Sequence, residues 1–285
     1  MDKTIKLNNG VEMPLVGYGV FQVSPEECER CVSDALSVGY RSIDTAQAYF
    51  NEEGVGNAWR KSGLNREELF LTTKVWVSNY GYEKAKVSID TSLQKLQTDY
   101  IDLLLLHQAF GDYYGAYRAM EEALKEGKVR AIGVSNFYYD RFADLAENME
   151  IVPAVNQIEV NVFCQQHPMQ ELCSKYGTHL MAWGPLAEGF NDFFKNPELQ
   201  AIGDKYGKSV AQIALHWLVQ RGIIVIPKSV RKERMEQNLD ITDFSLSAED
   251  METISKLDVN HGVVVNFEDS QVRLALMDVI KKYKV

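Results

Sequence analysis

Cysteine is scarce here. Four thiols (Cys28, Cys31, Cys164 and Cys173) in 285 residues are too few to staple a chain of this length as small secreted domains are stapled. Proline is also sparse, with seven residues against nineteen glycines. No Pro- or Ser-rich stretch marks a linker, and no period suggests a fibre or a repeat array. Basic charge is in deficit, since 30 Lys and Arg face 40 Asp and Glu for a formal net charge of −10. A nucleic-acid binder needs a basic face to displace counterions from phosphate, so this balance argues against such a partner. Long apolar runs are missing too. IDLLLLH and GIIVIP are strand-sized and fall well short of the roughly 18 residues a membrane helix needs. The N-terminus, MDKTIKLNNG, has no apolar core for a secretory signal. These absences predict a cytoplasmic protein in a reducing compartment, with neither nucleic acid nor membrane among its partners.

What is present alternates. After a hairpin expected over TIKLNNGVEMP, turning at Asn9-Gly10, the β-rich runs are LVGYG, YRSID, LFLTTKV, YIDLLLLH, VRAIGVSN, PAVNQIEV, HLMAW and IIVIPKS. Helical patterns such as PEECERCVSDALSVG, GYEKAKVSIDTSLQKL and YGAYRAMEEALKEG lie between them. In the first, Cys28, Cys31, Val32, Ala35, Leu36 and Val38 recur at helical spacing, and Gly39 is placed to cap the C-terminus. Such alternation means βαβ units and a parallel sheet, and continuous runs such as LLLL mean strands buried on both faces. Eight strands after the hairpin close a (β/α)8 TIM barrel, with the hairpin across its bottom. The rival, an open doubly wound sheet, usually carries G-x-G-x-x-G after its first strand. Here Gly17-Tyr18-Gly19-Val20-Phe21-Gln22 lacks the third glycine. The expectation is therefore one α/β barrel domain spanning residues 1–285.

In barrel enzymes the reacting groups sit at the C-terminal ends of strands. Reading each run to its end gives Asp44, Lys74 and His107 after strands two to four. Ser135-Asn136, Asn156-Gln157, Trp183 and Lys228-Ser229 follow strands five to eight. Singly, a strand-end Asp is usually a helix cap and a Lys is usually solvated. Together they fall on one rim. The chemistry of Asp44, Tyr49, Lys74 and His107 is coherent for carbonyl reduction. Hydride addition leaves an alkoxide that needs a proton, and a tyrosine can supply it if its pKa is pulled down by a nearby ammonium. A buried lysine needs a counter-ion, which Asp44 provides. A neutral histidine can orient the substrate oxygen.

At these residues the chain resembles an aldo-keto reductase, from the first strand to about Asn260. The matching segments are GVEMPLVGYGVFQV, GYRSIDTAQAYFNEEGVG, LFLTTKVW, SLQKLQTDYIDLLLLH, GKVRAIGVSNF, NQIEV, MAWGPLAEG and IPKSVRKERMEQN. The resemblance implies Tyr49 as general acid, Lys74 as its neighbour, Asp44 as the partner of Lys74 and His107 as carbonyl orienter. It implies NADPH as cofactor, with Ser135, Asn136 and Gln157 on the carboxamide and Trp183 stacked on the nicotinamide. Within PKSVRKER, Lys228, Ser229, Val230 and Arg234 would hold the adenosine 2′-phosphate, and Asn238 the adenine. Phe21, Trp76, His107 and Gln108 would line the substrate pocket. Departures bear on the substrate, since His107 is followed by Gln108-Ala109-Phe110 where the family often has Trp-Pro, and Phe21 stands where many members have Trp. Gln237 replaces a common Glu. The loop after Leu186 lacks the usual acidic partner, with Glu188 and Asp192 as candidates to substitute. The pattern is most similar to prokaryotic diketogluconate and glyoxal reductases.

Other residues have plainer roles. Cys28-x-x-Cys31 falls on an apolar helix stripe and belongs to the core. His216-Trp217 sits in a buried helix, His167 precedes Pro168 at a helix start, and no His, Cys or carboxylate group has metal spacing. The tail from His261 is expected to end in a helix over FEDSQVRLALMDVIKKY that borders the pocket. The leading function is NADPH-dependent reduction of small aldehydes, dicarbonyls or keto-sugars by a monomer, with a weak dimer as the alternative. The alternatives are an idle nucleotide-binding barrel serving as a regulatory or structural subunit, and an aldolase-like barrel with Lys74 as Schiff-base nucleophile.

Overall fold

The computed structural model describes residues 3–267 and 269–285. Met1, Asp2 and Glu268 lie outside the described residues, and with them those positions of the expected domain and tail helix. Two short strands, β1 (Thr4–Lys6) and β2 (Glu12–Pro14), pair antiparallel with Ile5 opposite Met13. The hairpin turns where expected but not by the expected geometry. A two-residue Asn-Gly turn of type I′ needs positive φ at both central residues, whereas here Gly10 alone is left-handed, at φ 88°. Its N–H bonds Leu7 O at 2.9 Å, and Leu7 N–H bonds Val11 O at 2.8 Å. The hairpin is stitched to the start of the strand Val129–Ser135 and to the segment before the strand Val155–Glu159, with Asn9 Nδ2 donating to Arg130 O at 2.8 Å and Asn8 Nδ2 to Pro153 O at 3.3 Å. Met13 is fully buried beneath it, beside Leu7 and Leu15.

Eight strands follow: β3 (Tyr18–Gly19), β4 (Ser42–Asp44), β5 (Phe70–Val75), β6 (Ile101–Leu106), β7 (Val129–Ser135), β8 (Val155–Glu159), β9 (His179–Trp183) and β10 (Ile224–Val225). Each is parallel to its sequence neighbour. The two edges meet through backbone bonds, Gly17 N–H to Val225 O at 2.8 Å and Val225 N–H to Leu15 O at 2.9 Å. That closure makes the (β/α)8 barrel. Every residue of β5 and β6 is buried, as expected of parallel strands covered on both faces.

The outer helices are α1 (Pro25–Val38), α2 (Glu52–Lys61), α3 (Tyr82–Leu96), α4 (Tyr113–Lys125), α5 (Tyr139–Asn148), α6 (His167–Lys175), α7 (Pro197–Tyr206), α8 (Val210–Gln220), α9 (Lys232–Leu239), α10 (Ala248–Ser255) and α11 (Ser270–Lys282). Local signals account for α1. Ser24 caps the Glu27 N–H, Pro25 opens the first turn, and Gly39 ends the helix at φ 113°. Cys28 and Cys31 lie on its buried stripe as free thiols. His216 is fully buried in α8 and bonded at both ring nitrogens, to Ile241 O and Gln220 Oε1. Among the described residues no helix is long and apolar enough to cross a membrane.

Candidate active site

The site is built where strands end. Asp44 is the last residue of β4, Lys74 the penultimate residue of β5, and His107 follows β6 directly. After Asp44 the chain makes one short 3-10 turn, Gln47–Tyr49, and Phe50 reverses it in the left-handed region at φ 56°. This brings Tyr49 back over the barrel axis. Lys74 is fully buried and uses all three ammonium protons. It donates to Asp44 Oδ1 at 2.6 Å, to Thr45 O at 2.9 Å and to the Tyr49 phenol oxygen at 3.3 Å. Asp44 takes a further bond at Oδ2, from Gln157 Nε2 at 2.8 Å. Because the Tyr49 oxygen accepts from Lys74, its own O–H proton is left for a ligand.

The electrostatics correct one expectation. Burial pushes the Tyr49 phenol up, Lys74 pulls it down and Asp44 adds to the rise, so the net shift is upward. Burial alone would lower Lys74, but Asp44 and then Tyr49 reverse that, and its ammonium is held above the usual lysine range. Burial and the Lys74 charge hold the His107 imidazole well below its ordinary value, so it is neutral at pH 7. Its Nδ1 is buried without a partner, and no hydrogen bond from the described residues reaches either ring nitrogen.

Aromatic rings surround these groups in an unbroken arc. Phe21 lies 5.1 Å from Tyr49, Tyr49 5.6 Å from His107, and His107 4.9 Å from Trp76. The arc continues through Tyr283, 5.8 Å from Trp76, to Phe50 at 5.5 Å. Of the four expected pocket residues, Phe21 and Trp76 thus touch the tetrad through their rings, and His107 belongs to it. The fourth, Gln108, is clamped through its backbone, whose N–H and C=O both bond the Tyr80 hydroxyl, while its buried Oε1 has no partner. The tail borders the pocket, as expected, through Trp76 Nε1 donating to Tyr283 O at 2.8 Å and Tyr283 Oη to Ala48 O.

Tyr283 and Phe50 were not among the expected pocket residues. Nor was Glu159, fully buried at the end of β8, which accepts backbone N–H bonds from Val263, Val264 and Val265 at 2.8–3.0 Å. It secures the segment that leads into the tail. A signal for Glu159 was present, because NQIEV carries an acid two residues past Gln157, near a strand end where function is expected.

On the other side of the barrel axis, Trp183 Nε1 donates to Asn136 Oδ1 at 2.9 Å, and Asn136 Nδ2 bonds His107 O and Ser135 Oγ, both at 3.1 Å. Asn136 thus fixes Trp183 and His107 while its Oδ1 keeps one lone pair free, and Gln157 spends its Nε2 on Asp44. What Gln157 can still offer is Oε1, an acceptor. Beyond β10, Tyr18 Oη pins Ser229 O at 2.6 Å. Lys228, Arg231, Lys232 and Arg234 are exposed around the start of α9 with no ion pair among the described residues, and Asn238 is buried on the same helix. Unpaired cations at a helix N-terminus form a seat for a phosphate. A pinned indole face, a free amide acceptor and this seat, together on one rim, fit a phosphorylated nicotinamide dinucleotide. Burial pushes the Glu188 carboxyl up, Glu159 adds to that, and Lys228 offsets it. Asp192 is exposed and ion-paired to Lys195.

Comparison with known proteins places this geometry. The Aldo/keto reductase family matches residues 15–259. Glyoxal reductase of Bacillus subtilis (strain 168) is 46% identical over 265 residues, covering 92% of this chain and 95% of its own length. Methylglyoxal reductase DkgA of Escherichia coli (strain K12) is 42% identical over 257 residues, covering 89% and 93%. The aldo-keto reductase of Bombyx mori solved in complex with NADP superposes with a TM-score of 0.88 at 36% identity, covering 94% of this chain and 96% of that one. The chain belongs to the aldo/keto reductase family. It is an NADP-dependent oxidoreductase.

Proposed function

We propose that this protein reduces the carbonyl group of small aldehydes, dicarbonyls or keto-sugars to alcohols with NADPH, and that Tyr49 is the general acid. The observation that carries this is the hydrogen-bond direction at Tyr49, whose oxygen accepts from a lysine with no donor left over. When bound, NADPH supplies the hydride. The phenol, held protonated by burial, gives its proton to the carbonyl oxygen as negative charge develops there. An alkoxide is far more basic than a phenolate, so a phenol with a raised pKa still donates downhill. Lys74 then stabilises the phenolate left behind, and Asp44 keeps Lys74 charged. Neutral His107, with both ring nitrogens unclaimed, orients the carbonyl oxygen.

Phe21 and Trp76 flank the substrate, and the unpartnered Gln108 amide oxygen accepts from a substrate hydroxyl or a hydrated carbonyl. Relatives whose names are glyoxal and methylglyoxal reductase support a small dicarbonyl. For the cofactor, Ser135, Asn136 and Gln157 face the carboxamide and Trp183 the nicotinamide ring. Lys228, Ser229, Val230 and Arg234 hold the 2′-phosphate, and Asn238 the adenine. Residues 1–285 act as one domain and one monomer, and four buried, unlinked cysteines support a reducing cytoplasm. A binding-only subunit is disfavoured, since it has no use for a buried ammonium and carboxylate whose desolvation costs several kcal/mol per ion. A Schiff-base role for Lys74 is disfavoured because the amine is charged and saturated.

Tyr49→Phe is the test. It should lower kcat for methylglyoxal by about 10²–10⁴-fold while leaving NADPH affinity near wild type. Reduction by the Phe variant at close to the wild-type rate would remove Tyr49 as the acid.

A further inference from the structure

We propose that Gln47 is a positioning residue for proton donation, a buried amide that fixes the Tyr49 hydroxyl at its working distance from Lys74. The inference rests on the reading of Tyr49 as the acid and deepens it.

The turn carrying Tyr49 is a single loop of 3-10 backbone, which has poor hydrogen-bond geometry and little stability of its own. Only two backbone bonds hold it, Tyr49 N–H to Ala46 O and Phe50 N–H to Gln47 O. Yet the Tyr49 oxygen must stay 3.3 Å from an ammonium that the β-barrel holds rigidly. Something must tie the turn to the strand. Gln47, two residues before Tyr49 and buried, does so with four hydrogen bonds. Its Oε1 accepts from the backbone N–H of Trp76 at 2.9 Å, two residues past Lys74, and from Asn79 Nδ2 at 2.9 Å. Its Nε2 donates to Ser88 O at 3.2 Å and Ser92 Oγ at 3.1 Å on α3. One side chain thus joins the Tyr49 turn to the end of the Lys74 strand and to the helix behind it.

A second buried amide, Asn51, holds the far end of the turn, accepting from Thr45 Oγ1 and donating to Val20 O and Val23 O. Asn51 ties the turn to the β3 side. Just before the turn, Thr45 bonds β5 through Thr72 O and Lys74, and within it Ala48 O accepts from Tyr283, but Gln47 is the turn side chain that reaches the backbone following Lys74 and so sets the Tyr49–Lys74 separation.

Gln47→Met keeps the length of the side chain and deletes all four bonds. A shift of the phenol by about 1 Å should cost up to roughly 10²-fold in kcat, with the KM for the carbonyl changing less and NADPH affinity unchanged. The groups acting on the Tyr49 phenol are Lys74, Asp44, Glu188 and the neighbouring neutral His107. Lys74 lowers its pKa, so loosening that contact raises it, and the alkaline fall of kcat should move to higher pH. Combined with Tyr49→Phe, Gln47→Met should cost little more, because the group it positions is already gone.

A folded Gln47→Met with wild-type kcat and an unmoved pH profile overturns the inference, and so do additive losses in the double variant. Near-normal turnover by Tyr49→Phe alone overturns instead the reading on which it rests. Should Gln47→Met fail to fold, Asn79→Ala removes one donor to Gln47 Oε1 and should lower kcat about two- to tenfold with the same pH displacement. Wild-type kinetics in that variant overturn the inference.

Discussion

Lys74 and Asp44 form a pair that cannot be dismantled one residue at a time. Both side chains are essentially out of water, 2.6 Å apart. Removing one leaves the other charged and buried, which costs about 3–5 kcal/mol, whereas replacing both is far less damaging. Lys74→Met should therefore lose stability and activity together. Lys74→Met with Asp44→Asn should regain most of the melting temperature and none of the turnover. Recovery of kcat in the double variant would show that the ammonium has no role in proton donation. Asp44, Lys74 and His107 are legible from strand ends, and Tyr49 from the loop that follows Asp44. The direction of the Tyr49 shift is not, because it depends on how much water burial removes, and burial is a property of the closed barrel.

Among elements, the start of α9 is the one whose purpose sequence and structure state in different terms. The sequence shows a run of cations, which by itself means a solvated face. The structure adds that none of Lys228, Arg231, Lys232 and Arg234 forms an ion pair among the described residues, although the chain carries an excess of acid. Charge-assisted bonds to a phosphate contribute roughly 1.5–3 kcal/mol each. Arg234→Ala should thus weaken NADPH binding by about 10–100-fold. NADH, which has no 2′-phosphate, should bind as before. Titrating both cofactors against tryptophan fluorescence decides it, and equal losses would reduce the cluster to a solvated helix start. Strand limits were less legible than strand existence. β8 runs two residues past Gln157 to Glu159, and the anchoring carboxylate was missed because its partners are backbone N–H groups 104–106 residues away.

At the scale of the molecule the two ends of the barrel do different work. The N-terminal end is closed by the hairpin, with Met13 buried beneath it, and by Asp102 at the start of β6. Asp102 is fully buried and bonded to Arg66, Arg130 and the Leu71 N–H. The C-terminal end holds the Asp44, Tyr49, Lys74 and His107 cluster. Met13→Ala should then cost about 2–5 kcal/mol of stability through the cavity it leaves. Turnover per folded molecule should be unchanged, as read by chemical denaturation beside steady-state rates. A large fall in kcat would show that the two ends are coupled.

By itself the sequence determined the class of fold, the order of its strands and the tetrad. Hydrophobic periodicity and strand-end chemistry are local signals, and eight of them in a fixed order leave one architecture. Only the tertiary structure decided how those residues are held. Gln47 reads as an ordinary loop polar residue until β5 and α3 surround it, and Tyr283 belongs to no motif until its ring meets Phe50 and Trp76. Glu159 ends a strand like any other acid until Val263 to Val265 cross above it. Each of these gains its role from partners distant in the chain, and such contacts exist only once the barrel has closed.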